Sequence, residues 1–540
     1  MILQTTNLSK TIGAKNLFNN LAFFLEDGQK VALIGRNGQG KTTLLNIIAG
    51  EDTDYEGTLE LQKNLRVTLT RQEHTAHQHT LAIDYILDSV PNYAAYWKIL
   101  HEFENGIHTD IHAYTEAQEY FSNHGYHYIV DQIIGTLKQF QITEIQAQSP
   151  LSKFSGGEKR YIELVRLMYS QSTLYLIDEP TNHMDYLGKE QFITWMKATK
   201  KSMLIVTHDR DVLKEVDVIL ELKDKKMLSF NGNFDHYIQL NTTNTTNSVK
   251  QYHNQLNRLE EAKKRVEWGN RMRAKSKAWR IKYDHWLRDY ETIKAETVKP
   301  SFWIDQESTE NLDREVSESY DKFKEKNITV AIKPDKHRIS QLIHIKDLSL
   351  GYQNPLFSHI NALVRNGEHL FIKGKNGAGK STLVKTIMAI YRSEKPHATI
   401  YEGTITIGTN VRIGEYQQEI DGKYLGLTLE EAVLSVYEDN DIPIDSQKLN
   451  STLSQYLFEP RIDAKQKIRD LSGGQKARFQ IIKMLVANPN LLILDEPTNH
   501  LDLPSIEELE KALLSFQGGI IYISHDSYFI QHMGGDVIEI

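Results

Sequence analysis

Residues 35–45 read GRNGQGKTTLL, and residues 374–384 read GKNGAGKSTLV. Gly35 to Thr42 and Gly374 to Ser381 both fit G-x-x-x-x-G-K-[ST]. Glycines at this spacing let the backbone curl so that its N–H groups face phosphate oxygens, and the following helix adds the positive end of its dipole. Gly35, Asn37, Gly38, Gly40 and Thr43, with Gly374, Asn376, Gly377, Gly379 and Thr382, complete two nucleotide cradles. Lys41 and Lys380 are placed to reach the β- and γ-phosphates, and the hydroxyls of Thr42 and Ser381 to ligate Mg²⁺. Each loop follows an apolar run, VALI at 31–34 and LFIK at 370–373, as a strand–loop–helix unit requires.

The repeat extends well beyond the loops. FSGGEKR at 154–160 returns as LSGGQKA at 471–477, LYLIDEPTNHMD at 174–185 as LLILDEPTNHLD at 491–502, and VTHDR at 206–210 as ISHDS at 523–527. Lys41 and Lys380 are 339 positions apart, but Ser155 and Ser472, Asp178 and Asp495, and His208 and His525 are each 317 apart. The first copy therefore holds 22 more residues ahead of its SGG motif, and a helical insertion is expected within about 84–135. The fold class is α/β: two tandem P-loop domains, 1–242 and 338–540, joined by a long helical hairpin linker at 243–337.

LYLID and LLILD are apolar runs ending in an acid, as buried parallel strands do. Asp178 and Asp495 are expected to hold Mg²⁺ through water, and the next residues, Glu179 and Glu496, to polarise an attacking water. His208 and His525 end further apolar runs and suit a contact to the γ-phosphate. Gln72 and Gln418 fit a position that senses both Mg²⁺ and water.

The chain has 540 residues, 40% of them hydrophobic and 25% charged, which gives room for two or three domains with cores of their own. It has no cysteine, so neither disulfides nor thiolate metal sites are open to it. MILQTTNLSK at the start lacks a secretory pattern, and no apolar run approaches the ~20 residues that span a bilayer. A cytoplasmic protein with no membrane partner is expected.

The linker reverses the field of the chain. Lys263 to Lys282 carries nine Lys or Arg against one acid, Glu267, in a chain of net charge −8. Trp268 and Trp279 sit among these cations. Met272, Trp279, Trp286 and Ile293 recur every seventh residue and predict one apolar helical stripe, broken by Pro300. A tip is expected at 299–304, exposing Phe302 and Trp303, followed by an acidic helix with Leu312, Val316, Tyr320 and Phe323 on one face. Gly269-Asn270 is the alternative tip. Cations interleaved with tryptophans suit RNA, which offers phosphates to neutralise and bases to stack.

These motifs resemble the ABC ATPase superfamily, with SGGE at 155–158 and SGGQ at 472–475 similar to its signature. The resemblance implies an ATPase whose two cassettes clamp two ATPs face to face within one monomeric chain. One site would join Lys41, Thr42, Asp178, Glu179 and His208 to Ser472, Gly473 and Gly474. The other would join Lys380, Ser381, Asp495, Glu496 and His525 to Ser155, Gly156 and Gly157. EPTNHMD and EPTNHLD, the helical linker and FNGNFDHY at 230–237 resemble the ABC-F family more specifically.

That family implies binding to the ribosome near the tRNA exit site, with large-subunit rRNA and P-site tRNA contacted by the linker and by an arm at 84–135. The long linker with an aromatic tip resembles the subgroup that protects ribosomes from antibiotics. A housekeeping translation factor and a transporter's energy subunit are the rival readings. Three departures stand out: Glu158 for the usual Gln, Met184 for the usual Leu, and Thr11-Ile12 where the second cassette has an adenine-stacking candidate, Tyr352. Non-equivalent ATP sites are therefore expected. Because the chain stops at Ile540, soon after the second cassette, no C-terminal nucleic-acid-binding tail is expected.

Overall fold

The apolar runs at 31–34, 174–177 and 203–206 leave no polar face, and each becomes a strand buried on both sides. The structure, a computed structural model, describes residues 1–297 and 341–540 apart from 14, 71–76, 108, 183 and 418. In the first cassette it orders a six-stranded sheet as Val67–Leu69, Leu174–Asp178, Ser202–Val206, Lys30–Gly35, Val218–Lys223 and Lys226–Asn231. Only the last pair is antiparallel. The second cassette repeats the order with Ile413–Tyr416, Leu491–Asp495, Gly519–Ile523, His369–Lys373 and Asp536–Glu539, parallel throughout.

Register gathers the chemistry at one edge. Asp178 pairs with Val206 and Asp495 with Ile523, so both acids and both histidine-bearing loops leave the sheets at the carboxyl ends of neighbouring strands. Open α/β sheets bind ligands there. Helix α1 (Lys41–Ala49) follows the first phosphate loop. Its Leu44, Leu45 and Ile48 share a core with Leu8, Phe18 and Leu21 of an antiparallel sheet formed by Leu3–Ile12, Lys15–Leu25 and Glu56–Leu61.

The segment expected to hold an insertion is helical: α2 (Ala82–Leu87), α3 (Tyr93–Glu104), α4 (Ile111–His124) and α5 (Ile129–Gln139). The corresponding excursions are closed by Leu81 pairing with Pro150, 69 positions on, and by Thr428 pairing with Lys467, 39 positions on. The longer excursion is taken up largely by α3 and α4, which face each other through stacked Tyr96–Tyr120 and Phe103–Tyr114 at 4.4 and 4.3 Å. Helices α6 (Gly156–Tyr169) and α7 (Tyr186–Ala198) complete the helical lobe.

The chain forms two compact units, 1–233 with 329–540, and 234–328. In the second, α8 (Phe234–Met272) begins nine residues before the expected boundary at 243. The chain reverses at 273–276, and Ser276 Oγ caps α9 (Lys277–Glu296) by accepting the Trp279 N–H at 3.3 Å. The stripe expected on one helix is thus divided, with Met272 on α8 and Trp279, Trp286 and Ile293 on α9.

Packing explains the correction. Trp268 meets Trp279 at 5.0 Å and Trp286 at 5.9 Å across the pair. Gly269 permits the approach, since a Cβ there would lie 3.0 Å from the Trp286 ring. The described hairpin therefore turns close to the alternative tip at 269–270. The expected tip at 299–304, with Phe302 and Trp303, and the acidic segment beyond it lie outside the described residues. Arg271, Arg273, Lys275, Lys277, Arg280 and Lys282 are all exposed around the turn.

In the second cassette α10 (Lys380–Tyr391) follows the phosphate loop. It is joined by α11 (Leu429–Glu438), α12 (Ser446–Gln455), α13 (Gly473–Leu485), α14 (Leu503–Leu514) and α15 (Ser527–Met533). Among the described residues no helix is long and apolar enough to cross a membrane.

Candidate nucleotide sites between the cassettes

Both loop helices start on a glycine in the left-handed region, Gly40 at φ 96° and Gly379 at φ 109°. Neither start has a side-chain cap, so the first-turn N–H groups are left to a ligand. Lys41 Nζ folds back on the carbonyls of Gly35 and Arg36 at 2.5 and 3.2 Å. Lys380 Nζ does the same with Gly374 and Lys375 at 2.8 and 2.9 Å. Thr42 Oγ1 donates to Asp178 Oδ2, and Ser381 Oγ to Asp495 Oδ2, both at 2.8 Å. Thr43 also lines the first cavity, and Thr382 is half-buried in the first turn of α10.

Glu179 and Glu496 leave their strands with φ of 47° and 53°, an uncommon conformation for glutamate. Their own N–H groups stay bonded to Val206 and Ile523 at 2.8 and 3.0 Å, so the kink turns the side chains into the cavity. His208 Nε2 lies 3.8 Å from Glu179 Oε1, and His525 Nε2 lies 3.2 Å from Glu496 Oε1. Burial, with Asp178 adding to it, raises Glu179, and burial raises Glu496 to about 7. Burial and then Lys41 lower His208, and burial and then Lys380 lower His525 to about 4, which leaves both rings neutral at pH 7. Neither ring nitrogen of His208 has a hydrogen-bond partner among the described residues, although the ring is buried and lines the cavity. A buried polar pair of this kind is costly unless something fills the space before it.

One cavity of about 480 Å³ brings Asn37, Gly38, Gly40, Lys41 and Thr42 of the first cassette to Ser472, Gly473 and Gly474 of the second. Asn37 Nδ2 donates to the His500 carbonyl at 2.8 Å, and a Cβ on Gly474 would meet Asn37 Nδ2 at 2.5 Å. A smaller cavity of about 280 Å³ brings Ser155 to Asn376 and Gly377. Here Gly156 is exposed, with nothing within 4 Å of an added Cβ. Lys380, Ser381 and Asp495 do not line this smaller cavity, and Glu496 and His525, expected in the second site, line the first cavity, so the second expected grouping is brought together only in part. Gln72 and Gln418 lie outside the described residues.

The Glu158 departure has a local account. Glu158 Oε2 accepts from Ser155 N at 2.8 Å and Ser155 Oγ at 2.7 Å, as Gln475 Oε1 does from Ser472 at 3.0 Å each. Either acceptor closes the capping box that starts the helix. Tyr352 is 53% exposed and so is not part of the core, and its counterpart Ile12 lines the first cavity.

Several residues absent from the sequence reading join the cassettes. Asp185 Oδ2 accepts the Asn376 N–H at 3.0 Å while Oδ1 takes the Tyr161 hydroxyl at 2.8 Å. Arg210 Nη1 donates to Glu510 Oε1 at 3.0 Å, and Lys189 reaches the His525 carbonyl at 3.2 Å. Asp185 lies inside the repeated EPTNH-x-D motif and could have been found there. Lys189, Arg210 and Glu510 differ from their repeat counterparts and give no such signal.

The sequence model of the family described as ABC transporter matches residues 18–182 and 357–499, a phosphate loop in each. The chain belongs to the ABC transporter family. It is accordingly an ATP-binding ABC ATPase, and the ABC-F resemblance extends over its full length. The ATP-binding protein YdiF of Bacillus subtilis (strain 168) is 29% identical over 100% of this chain and 80% of its own length. The ATP-binding protein YbiT of Escherichia coli O157:H7 is 28% identical over 100% and 96%.

Among solved structures, this ABC chain aligns with archaeal ribosome recycling factor aABCE1, in complex with the ribosomal stalk protein aP1. The TM-score is 0.55 and the identity 15%, covering 99% of this chain and 87% of that one. ABCE1 in a model of ribosome-bound archaeal Pelota and ABCE1 aligns at TM-score 0.56 and 17% identity, covering 99% and 76%. At such identities the likeness establishes the fold.

Proposed function

We propose that this chain is an ABC-F ATPase of the cytoplasm that binds the ribosome near the tRNA exit site. ATP-driven closure of its cassettes directs the linker toward the peptidyl-transferase centre, where it meets large-subunit rRNA and P-site tRNA. Two ATPs are held within one monomer, each between the phosphate loop of one cassette and the SGG helix start of the other. A γ-phosphate adds contacts to that helix start which a diphosphate lacks, so hydrolysis opens the clamp.

Glu179 and Glu496 orient and accept a proton from the attacking water, and neutral His208 and His525 face the γ-phosphate. The paired hydroxyl and carboxylate oxygens of Thr42 with Asp178, and of Ser381 with Asp495, are the hard donors Mg²⁺ takes. Such an ion would supply charge neutralisation at the β- and γ-phosphates.

The observation that carries the ribosomal reading is the hairpin turn, where exposed cations from Arg271 to Lys282 surround Trp268 and Trp279. Its charge opposes that of the whole chain. The structural likeness to a ribosome recycling factor points the same way.

The finer use is protection of the ribosome against drugs at the peptidyl-transferase centre. In the E179Q/E496Q variant hydrolysis stalls and the closed form should pellet with ribosomes in ATP. A variant that sediments free of them refutes the reading. Expression in a susceptible bacterium should raise tolerance to such drugs. Unchanged susceptibility together with ribosome binding would assign a housekeeping translation role instead, and co-purification with a permease a transporter role.

A further inference from the structure

Lys189 lies on α7, four residues after Asp185, with its side chain 8% exposed. Its Nζ is 2.9 Å from Asp209 Oδ1, pairs with the Asp211 carboxylate, and donates to the His525 carbonyl oxygen at 3.2 Å. Asp209 and Asp211 follow His208 in the first cassette, whereas His525 belongs to the second. One buried ammonium thus ties the segment after one cavity-lining histidine to the backbone of the other. Asp211 forms a second strut across the same boundary, accepting from Ser527 Oγ at 2.5 Å. Lys189 and Asp209 line the cavity that holds His208, Glu496 and His525.

The internal repeat is a control for this arrangement. At the offset of 317, Lys189 corresponds to Ile506 and Asp211 to Tyr528. Ile506 is 3% exposed in the first turn of α14, so an apolar residue serves the equivalent helix position. The fold does not require a lysine here. Burying an ammonium between two carboxylates costs desolvation that an isoleucine avoids, and in some proteins such a group serves to fix one arrangement over another.

We infer that Lys189 is a positioning residue that couples the two ATP sites. It holds the His525 backbone in register with the His208 loop, so that filling one site sets the ATP affinity of the other. The inference rests on the proposed binding of ATP at both composite sites. Coupling of this kind is reciprocal and commonly amounts to about 5- to 150-fold in affinity.

The test is an equilibrium titration of the full chain, in the E179Q/E496Q background, with a fluorescent ATP analogue. It reads stoichiometry and coupling factor separately. Two nucleotides per chain with a coupling factor of about fivefold or more are expected when Lys189 is present. K189M should still take two nucleotides, with the factor reduced toward one, and K189R should restore it. If Lys189 has only a structural role, K189M will melt at a lower temperature with its coupling factor unchanged, and that result overturns the inference. D211N, which keeps the lysine and removes one anchor, gives an independent reading if K189M fails to fold. Its coupling factor should fall, and an unchanged factor overturns the inference as well. No nucleotide bound to the Lys189 chain would instead sink the ATP-site reading beneath it.

Discussion

Arg210 and Glu510 offer the cleanest measure of what holds the cassettes together. Their side chains are 3% and 5% exposed, and the pair joins the segment after His208 to α14 at 3.0 Å. Glu507 lies 3.9 Å from the same guanidinium, and His532 lies 3.2 Å from the other Glu510 oxygen. Removing one partner of a buried pair strands the other, at about 3–5 kcal/mol, whereas replacing both with apolar groups is often close to neutral. Glu507 and His532 remain as secondary partners, which argues for the low end, about 3 kcal/mol, for R210M or E510L alone.

At about 1.4 kcal/mol per decade, the ratio of closed to open chains should fall roughly 100-fold in either single variant. The double variant R210M/E510L should recover most of that loss. The chain has no cysteine, so one introduced thiol per cassette gives a clean dye pair for energy transfer. Closure would be titrated with ATP in the E179Q/E496Q background, and the four members of the cycle compared. If the double variant is as open as the sum of the singles, the two residues do not interact. The assignment of this pair as a cross-cassette contact would then be wrong.

Two further outcomes follow from the site asymmetry and from Asp185. Stacking of a base on an aromatic side chain contributes about 1–3 kcal/mol, so Y352A should weaken ATP at the second site by roughly 5- to 150-fold. I12W should tighten the first site, both changes being read by nucleotide titration in the hydrolysis-deficient background. Burial would raise Asp185, but the N–H groups of Asn376 and Gly188 and the Tyr161 hydroxyl outweigh it and hold the carboxyl below its ordinary value. A depressed folded pKa contributes stability that is present above the unfolded value and lost as pH falls through the folded one. D185N should therefore lose less melting temperature than the parent between about pH 5 and pH 3. Parallel curves for the two chains would contradict the assigned contact.

The features legible from residues alone were those written twice. Lys41 with Lys380, Asp178 with Asp495, Glu179 with Glu496 and His208 with His525 stand at matched offsets in matched local strings. Each string specifies its own strand, loop and helix through short-range physics. The capping boxes at Ser155 and Ser472 are equally local.

The linker shows where pattern reading ran out. The seven-residue spacing of Met272, Trp279, Trp286 and Ile293 is indifferent to whether the chain turns between the first two. The turn at 273–276 comes from a long-range cause, the seating of Trp268 against Trp279 and Trp286 over Gly269. Gly269-Asn270 and the Ser276 cap were the local signs of it.

By itself, the sequence determined two phosphate-loop cassettes, the order of their candidate catalytic residues and a cationic aromatic linker. These are all properties carried by contiguous residues. Tertiary structure decided how closely Asn37 meets Gly474, and it alone decided that Asp185 holds the Asn376 backbone and that Lys189 spans two histidine loops. Those contacts join groups between roughly 190 and 440 residues apart. Contacts between groups so far apart along the chain depend on the packing of one cassette against the other, which no local preference of the chain encodes.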